Sequence, residues 1–257
     1  MQKTNFKFEV IVHDDASTDK TADIIREYAE EYPDIIKPIY EKENQYSKGV
    51  EVLCKIMDEH MQGKYIAICE GDDYWIDENK LQKQVDFMEK HENYSLCFHA
   101  HKYLYNDNSE KEIHQYADNN YDVSVKDIIL KGGGFIETSA MLFRKDSVKD
   151  KPFWYFGIPY VYDYQLNLLL SIRGKVCYLN DVMSTWRASH PGSFTSKQDD
   201  MSIVEAKKRY LQLTFYDDFD EYTNKKYHKY IQYMKYRDKL IFLYRVLRIG
   251  KIIKRYR

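Results

Sequence analysis

No apolar run reaches about 18 residues, the length a helix needs to cross a bilayer, and no signal-peptide pattern opens the chain. These absences predict a soluble or peripheral protein, cytoplasmic and at most held at the inner membrane face. Cysteine is scarce: Cys54, Cys69, Cys97 and Cys177 lie far apart, with no C-x-x-C pair. Lone cysteines in apolar stretches read as buried thiols in a reducing compartment. Near the first predicted strand there is no glycine- and lysine-rich phosphate loop, which counts against a nucleotidyltransferase. Internal repeats and Pro/Ser-rich linkers are also missing, so 257 residues form one substantial domain with at most an appendage.

What is present begins with a core-forming apolar fraction of 44%. Aromatics make up 16%, with 25 tyrosines, a supply of surfaces that stack on flat or ring-shaped ligands. The net charge of −2 hides an asymmetry. From Lys225 onward twelve Lys or Arg face one acid, Asp238, a balance of +11 that leaves −13 on the preceding residues. An acidic body carries a basic tail.

Along the first 94 residues strands and helices alternate. "KFEVIVH" turns continuously apolar, like a strand entering a buried sheet, and "TADIIREYAEEY" repeats apolar residues at helical spacing until Pro33. "IIKPIY" is a second strand, a helix follows near residues 50–61, "KYIAIC" is a third strand, and "NKLQKQVDFMEKH" is a third helix. This order predicts an α/β protein with a mostly parallel sheet flanked by helices, whose ligands sit beyond the carboxyl ends of the strands. Later, "SLCFHAHKYLY" reads as a strand and "GGGFIETSAMLFRK" as a glycine loop entering another. "YVYDYQLNLLLSIRG" is an amphipathic helix, "KVCYLND" and "VMSTWR" are short strands, and helices follow Met201.

Two acidic clusters fall at predicted strand ends: Asp14-Asp15, and Glu70, Asp72 and Asp73 in "CEGDDYW". Carboxylates this close repel one another. Hard oxygen ligands at a strand end suit Mg²⁺ or Mn²⁺ with positions left open for substrate phosphates. The alternative is an acidic loop that caps the next helix, with Asp77 favouring its N-terminal dipole end. The second acidic pair tips the reading toward a site in one shared cleft. His99 and His101 alternate in "FHAH" without a third ligand nearby in sequence, which favours a structural role.

"FEVIVHDDASTDKT" followed by "GKYIAICEGDDYW" resembles the N-terminal half of family 2 glycosyltransferases of the GT-A fold, of the kind found in bacterial surface polysaccharide biosynthesis. The resemblance covers roughly residues 5–195. It implies a glycosyltransferase domain over residues 1–200 and a helical basic extension over 201–257. It also implies an inverting, metal-assisted transfer of a sugar from a nucleotide donor, UDP-linked, to a glycan or lipid-linked glycan. By this resemblance Asp14, Asp15 and Ser17 contact the nucleotide. Asp73, then Asp72 and Glu70, hold a Mn²⁺ or Mg²⁺ ion. Asp163, in "YVYDYQLNLLL", is the catalytic base that takes the acceptor's proton. Tyr74 and Trp75, with Glu137, Thr138 and Ser139 of "GGGFIETSAM", line the sugar side; a core role for Trp75 and a flexible turn at 137–139 are the bland alternatives. Arg187 and His190 in "WRASHPGSFT" approach the diphosphate.

In one respect the sequence departs from that family: its usual first strand and helix are absent before "QKTNFKFEVIV". A truncated relative that binds a sugar nucleotide or a partner without turnover is the alternative this raises. In the tail, Phe242, Val246, Ile249 and Ile253 form one helical stripe, with Arg237, Arg245, Arg248, Lys251 and Arg255 opposite. A basic amphipathic helix of this kind can lie on an anionic membrane. The alternative is a helix packed on the body. Nucleic acid is disfavoured by the acidic body.

Overall fold

The computed structural model describes residues 1–104, 113–157, 162–187 and 212–255. Strand β1 (Val10–Asp14) leads through a turn into helix α1 (Thr21–Glu31) and strand β2 (Ile36–Tyr40), which pairs with β1 in parallel. Helix α2 (Val50–His60) precedes β3 (Tyr65–Ala67), and α3 (Lys80–Lys90) follows the two-residue strand β4 (Tyr74–Trp75). Apart from β4, which the sequence does not mark, these are the elements the apolar periodicity predicts, to within about three residues at each end.

The larger sheet is mixed. Its order is β3, β8 (Leu142–Arg144), β5 (Tyr94–Leu104), β9 (Lys175–Arg187), β4, with β6 (Ile113–His114) on β5 and β7 (Tyr121–Val123) on β9. Among the described residues only β5 and β9 pair in parallel there; the other pairings are antiparallel. The expectation of a mostly parallel sheet therefore holds for β1–β2 and β5–β9 alone. The cause is β8, which inserts between β3 and β5 and runs against both. "KVCYLND" and "VMSTWR" also differ from expectation: they form one strand, whose irregular register with β5 near Ala100 absorbs the polar step at Asn180-Asp181.

Helix α4 (Val125–Lys131) has a readable signal. Ser124 is its N-cap, its Oγ accepting from the Asp127 N–H at 3.1 Å, and Gly132 ends it at a φ of 76°. Helix α5 (Tyr162–Arg173) buries Leu168, Leu169 and Leu170 against the sheet. Cys97 and Cys177 are buried as expected, whereas Cys54 is half-buried and Cys69 exposed.

The C-terminal helices α6 (Phe215–Tyr222) and α7 (His228–Arg255) join the main core rather than standing apart from it. Phe215, Tyr216, Phe219, Ile231 and Met234 pack in the same cluster as Phe98, Trp154 and Leu169. Arg237 reaches from α7 to the Leu130 carbonyl of α4 and pairs with Asp238. The expected boundary at residue 200 falls outside the described residues, as do the side chains of the tail stripe from Arg245 on. Among the described residues no helix is long and apolar enough to cross a membrane.

Phe219 is fully buried, edge-on to Trp154 at 4.9 Å between ring centres. Phe219→Ala is expected to lower unfolding stability by about 3–5 kcal/mol, read by chemical denaturation. A change near zero would show that α6 is not part of the core.

Candidate active site

The acidic loop after β3 is folded back on the sheet by β4. Trp75 pairs with Ser184 and Tyr74 with Thr185, so residues 70–73 come to the end of β9. There the Arg187 N–H donates to Asp73 Oδ1 at 3.0 Å, and Arg187 Nε donates to the Asp72 carbonyl. A second segment arrives from the opposite side. Ser139 Oγ, in the 3-10 turn Thr138–Ala140, donates to Asp73 Oδ2 at 2.5 Å. Asp73 thus ties together residues 66 and 114 positions away in sequence.

The turn is itself anchored from below. Trp75 Nε1 donates to the Ser139 carbonyl at 2.9 Å, and Gln84 Nε2 donates to the Ala140 carbonyl at 3.0 Å. Gln84 in turn accepts from Lys80 Nζ at 2.7 Å, and that nitrogen lies 4.1 Å from the centre of the Trp75 ring. With its N–H consumed and one face covered by Lys80, Trp75 serves as a packing and anchoring residue in the second apolar cluster. Tyr74, 37% exposed, keeps a face open to solvent.

Ligand-capable oxygens of Glu70, Asp73 and Glu137 lie within 4.8 Å of one another. Asp72 is not in this group, and Glu137, expected on the sugar side, is. Burial first, then Asp73 and Glu70, push the Glu137 carboxyl up to about 8. The Glu70 carboxyl is pushed up to about 7 by its enclosed position, then by Asp73, Asp72 and Asp163. Asp73 is raised by burial against the lowering effect of Ser139 and Arg187. Three carboxylates of this kind could hold a divalent cation, the hard partner their chemistry requires.

Asp163 stands in the first turn of α5, and its charge adds to the raising of the Glu70 carboxyl. Its Oδ2 accepts from the Gly134 N–H at 2.9 Å, and Gly134 adopts a φ of 79°, which favours glycine. The glycine loop therefore orients Asp163. Thr138 is half-buried in the turn.

The first acidic pair divides its work. Asp15 accepts from the N–H groups of Gln45 at 2.6 Å and Tyr46 at 3.0 Å and from Asn44 Nδ2 at 2.8 Å, closing the loop before α2. Asp14 is buried at the end of β1 with Oδ1 lacking a hydrogen-bond partner. Ser17 is exposed in the following turn. His190 lies outside the described residues. His99 and His101 are buried in β5 and outside the acidic group, in keeping with a structural role. Lys80 and Gln84 escaped the sequence reading; a Lys and a Gln one helical turn apart, on the apolar side of α3, were the available signal.

The sequence model of Glycosyl transferase family 2 matches residues 1–151, and the chain belongs to that family. An uncharacterized protein of Mycobacterium tuberculosis is 34% identical over 200 residues, 77% of this chain and 55% of that protein. The Escherichia coli enzyme WfaP, named UDP-Glc:alpha-D-GlcNAc-diphosphoundecaprenol beta-1,3-glucosyltransferase, is 35% identical over 89 residues, 35% of this chain and 33% of that protein. Among solved structures, the Pyrobaculum calidifontis mannosyltransferase PcManGT, in complex with GDP-Man and Mn²⁺, aligns with a TM-score of 0.52 at 15% identity over 80% of this chain and 54% of that one. That likeness concerns the fold alone: an α/β sheet flanked by helices of the GT-A type. The chain spans about half the length of the mycobacterial relative.

Burial holds the Lys80 amine down to about 7, with Cys97, Cys69 and Glu137 opposing it. Between about 7 and 10.5 the unfolded chain carries this proton and the folded one does not, so stability rises with pH across that window. Lys80→Met removes the dependence. The stability of the variant relative to wild type should fall steadily from pH 7 to pH 10, as measured by denaturant unfolding. A pH-independent difference would show that Lys80 keeps its charge in the fold.

Proposed function

We propose that this chain transfers a sugar from a nucleotide donor, UDP-linked, to a glycan or lipid-linked glycan acceptor, with inversion at the anomeric carbon. The observation that carries the reading is the gathering of Glu70, Asp73 and Glu137 at one point, with Asp163, held by the Gly134 N–H, close enough to act on Glu70. Asp163 would take the proton of the acceptor hydroxyl, whose oxygen attacks the anomeric carbon as the nucleoside diphosphate leaves from the opposite face. Tight positioning of the two substrates supplies much of the rate.

Asp73 and Glu70 would hold the Mn²⁺ or Mg²⁺, with Asp72 at the rim. A bound divalent ion supplies positive charge to the departing diphosphate. Arg187, anchored at the same place, offers a second positive group. Asp14, Asp15 and Ser17, at the carboxyl end of β1, are assigned to the nucleotide, in one cleft with the acidic centre. Thr138 and Tyr74 are assigned to the sugars. The UDP donor and a lipid-linked acceptor draw support from the similarity to WfaP, a UDP-Glc-dependent glucosyltransferase by name, and the metal from the Mn²⁺ complex of PcManGT.

The basic helix α7 is assigned to an anionic membrane surface at the cytoplasmic face. Tyr233, Tyr236, Leu240, Leu243 and Tyr244 are exposed at helical spacing along it, which supports this placement.

Thermal unfolding with UDP, GDP or dTDP, each with and without Mn²⁺, tests the donor site. At about 100 times its dissociation constant the right nucleotide should add about 2.7 kcal/mol, dependent on metal and lost in Asp73→Ala. Asp163→Asn should keep that shift and lower sugar transfer by about 10²–10⁴-fold. Absence of any nucleotide shift in folded protein would overturn the reading in favour of a non-catalytic relative.

A further inference from the structure

The turn Thr138–Ala140 has a construction that donor binding alone does not require. Its N-cap residue, Glu137, uses one carboxylate oxygen, Oε1, to accept from the Ser139 N–H at 2.8 Å. Its other oxygen, Oε2, is buried and has no hydrogen-bond donor facing it. Glu137 is only 8% exposed, so this is an unpartnered acceptor inside the protein. What lies beside it are the carboxylates of Asp73 and Glu70, so without a cation it can pair only by carrying a proton toward Asp73. Buried polar atoms are paired in nearly every folded protein, and an exception needs a chemical reason.

Nor is the placement loose. The turn is fastened to Asp73 by Ser139 Oγ, to Trp75 by the Ser139 carbonyl, and to α3 by the Ala140 carbonyl. Three bonds from three separate elements hold Glu137 against the acidic loop, the outer support that orients a metal ligand. A flexible acid would swing to solvent and escape its neighbours; this one cannot.

We propose that Glu137 is a third carboxylate ligand of the cation, and that this chain binds a divalent ion before and without its nucleotide. The inference rests on the metal reading above and extends it. A site with one or two protein carboxylates completes its shell with substrate phosphates. Glu70, Asp73 and Glu137 together bring three carboxylates to one place, enough for the protein itself to retain the ion once it displaces their protons. The Oε2 atom then has the partner it otherwise lacks, and the mutual repulsion of the three is relieved.

Titration of the full chain with Mn²⁺ alone, followed by electron paramagnetic resonance of the free ion, tests this. Wild type should take up one Mn²⁺ per chain without nucleotide. Glu137→Gln, which keeps Oε1 as an acceptor for the Ser139 N–H, should weaken that uptake at least tenfold. Glu137→Asp should fall between the two, and circular dichroism checks that each variant folds. Glu78→Gln, at an exposed carboxylate paired with Lys3, should match wild type. Uptake of Mn²⁺ only in the presence of UDP, or equal uptake by Glu137→Gln and wild type, would overturn the proposal. If a UDP and Mn²⁺ thermal shift sensitive to Asp73→Ala persists in that case, the donor reading stands and only the role of Glu137 fails. If no nucleotide shifts the unfolding of wild type but Mn²⁺ alone binds through Glu137, the donor reading fails and the cation site stands.

Discussion

Repulsion among carboxylates is the constraint around which this end of the molecule is organised. Glu70, Asp73 and Glu137 come from two chain segments, and each would be better solvated if they were apart. They stay together because backbone and hydroxyl donors hold them. Ser139 Oγ and the Arg187 N–H take the two oxygens of Asp73, and the Ser139 N–H takes one of Glu137. Those donors are fixed by strands β4 and β9 and by the turn before β8. The fold thus keeps an electrostatically unfavourable grouping in place, as is common where charge must be met by a ligand.

The apolar core makes that possible. Strand β9 runs from the packed interior, through Val176, Tyr178 and Met183, out to Arg187 at the acidic centre. Helix α5 buries its leucines while presenting Asp163 from its first turn. The C-terminal helices add Phe215, Phe219, Ile231 and Met234 to the same cluster. Each functional side chain described here is within a few residues of a position that packing has already fixed.

Much of this was legible in the sequence. The strand–helix alternation over the first 94 residues came through because apolar periods of two and 3.6 residues are local signals. The two acidic clusters and Asp163 were visible as charges at element ends. The antiparallel insertion of β8 was not, because strand direction in a sheet depends on partners distant in sequence, and "AMLFRK" looks the same in either direction. Nor was the place of Glu137, since a turn with Glu, Thr and Ser fits a sugar lining as well as an acidic centre. Only its contact with Asp73 across 64 positions separates the two. The continuity of β9 through Asn180 and Asp181 was hidden for a similar reason: polar residues that break a pattern locally can be carried by a neighbouring strand's irregular register.

Beneath the centre, Lys80 and Gln84 are fully buried in α3, and Gln84 alone connects that helix to the Ala140 carbonyl. An amine and an amide in such a place contribute less to stability than two well-packed apolar side chains of similar volume would. A search for thermostable variants, whether by selection or by design, would therefore be drawn to these two positions early. Its gains there would come at the expense of the turn that carries Glu137 and Ser139. Heat resistance and competence of the site pull in opposite directions at this point of the fold, and a stabilised form would best be sought at the exposed face of α1 instead.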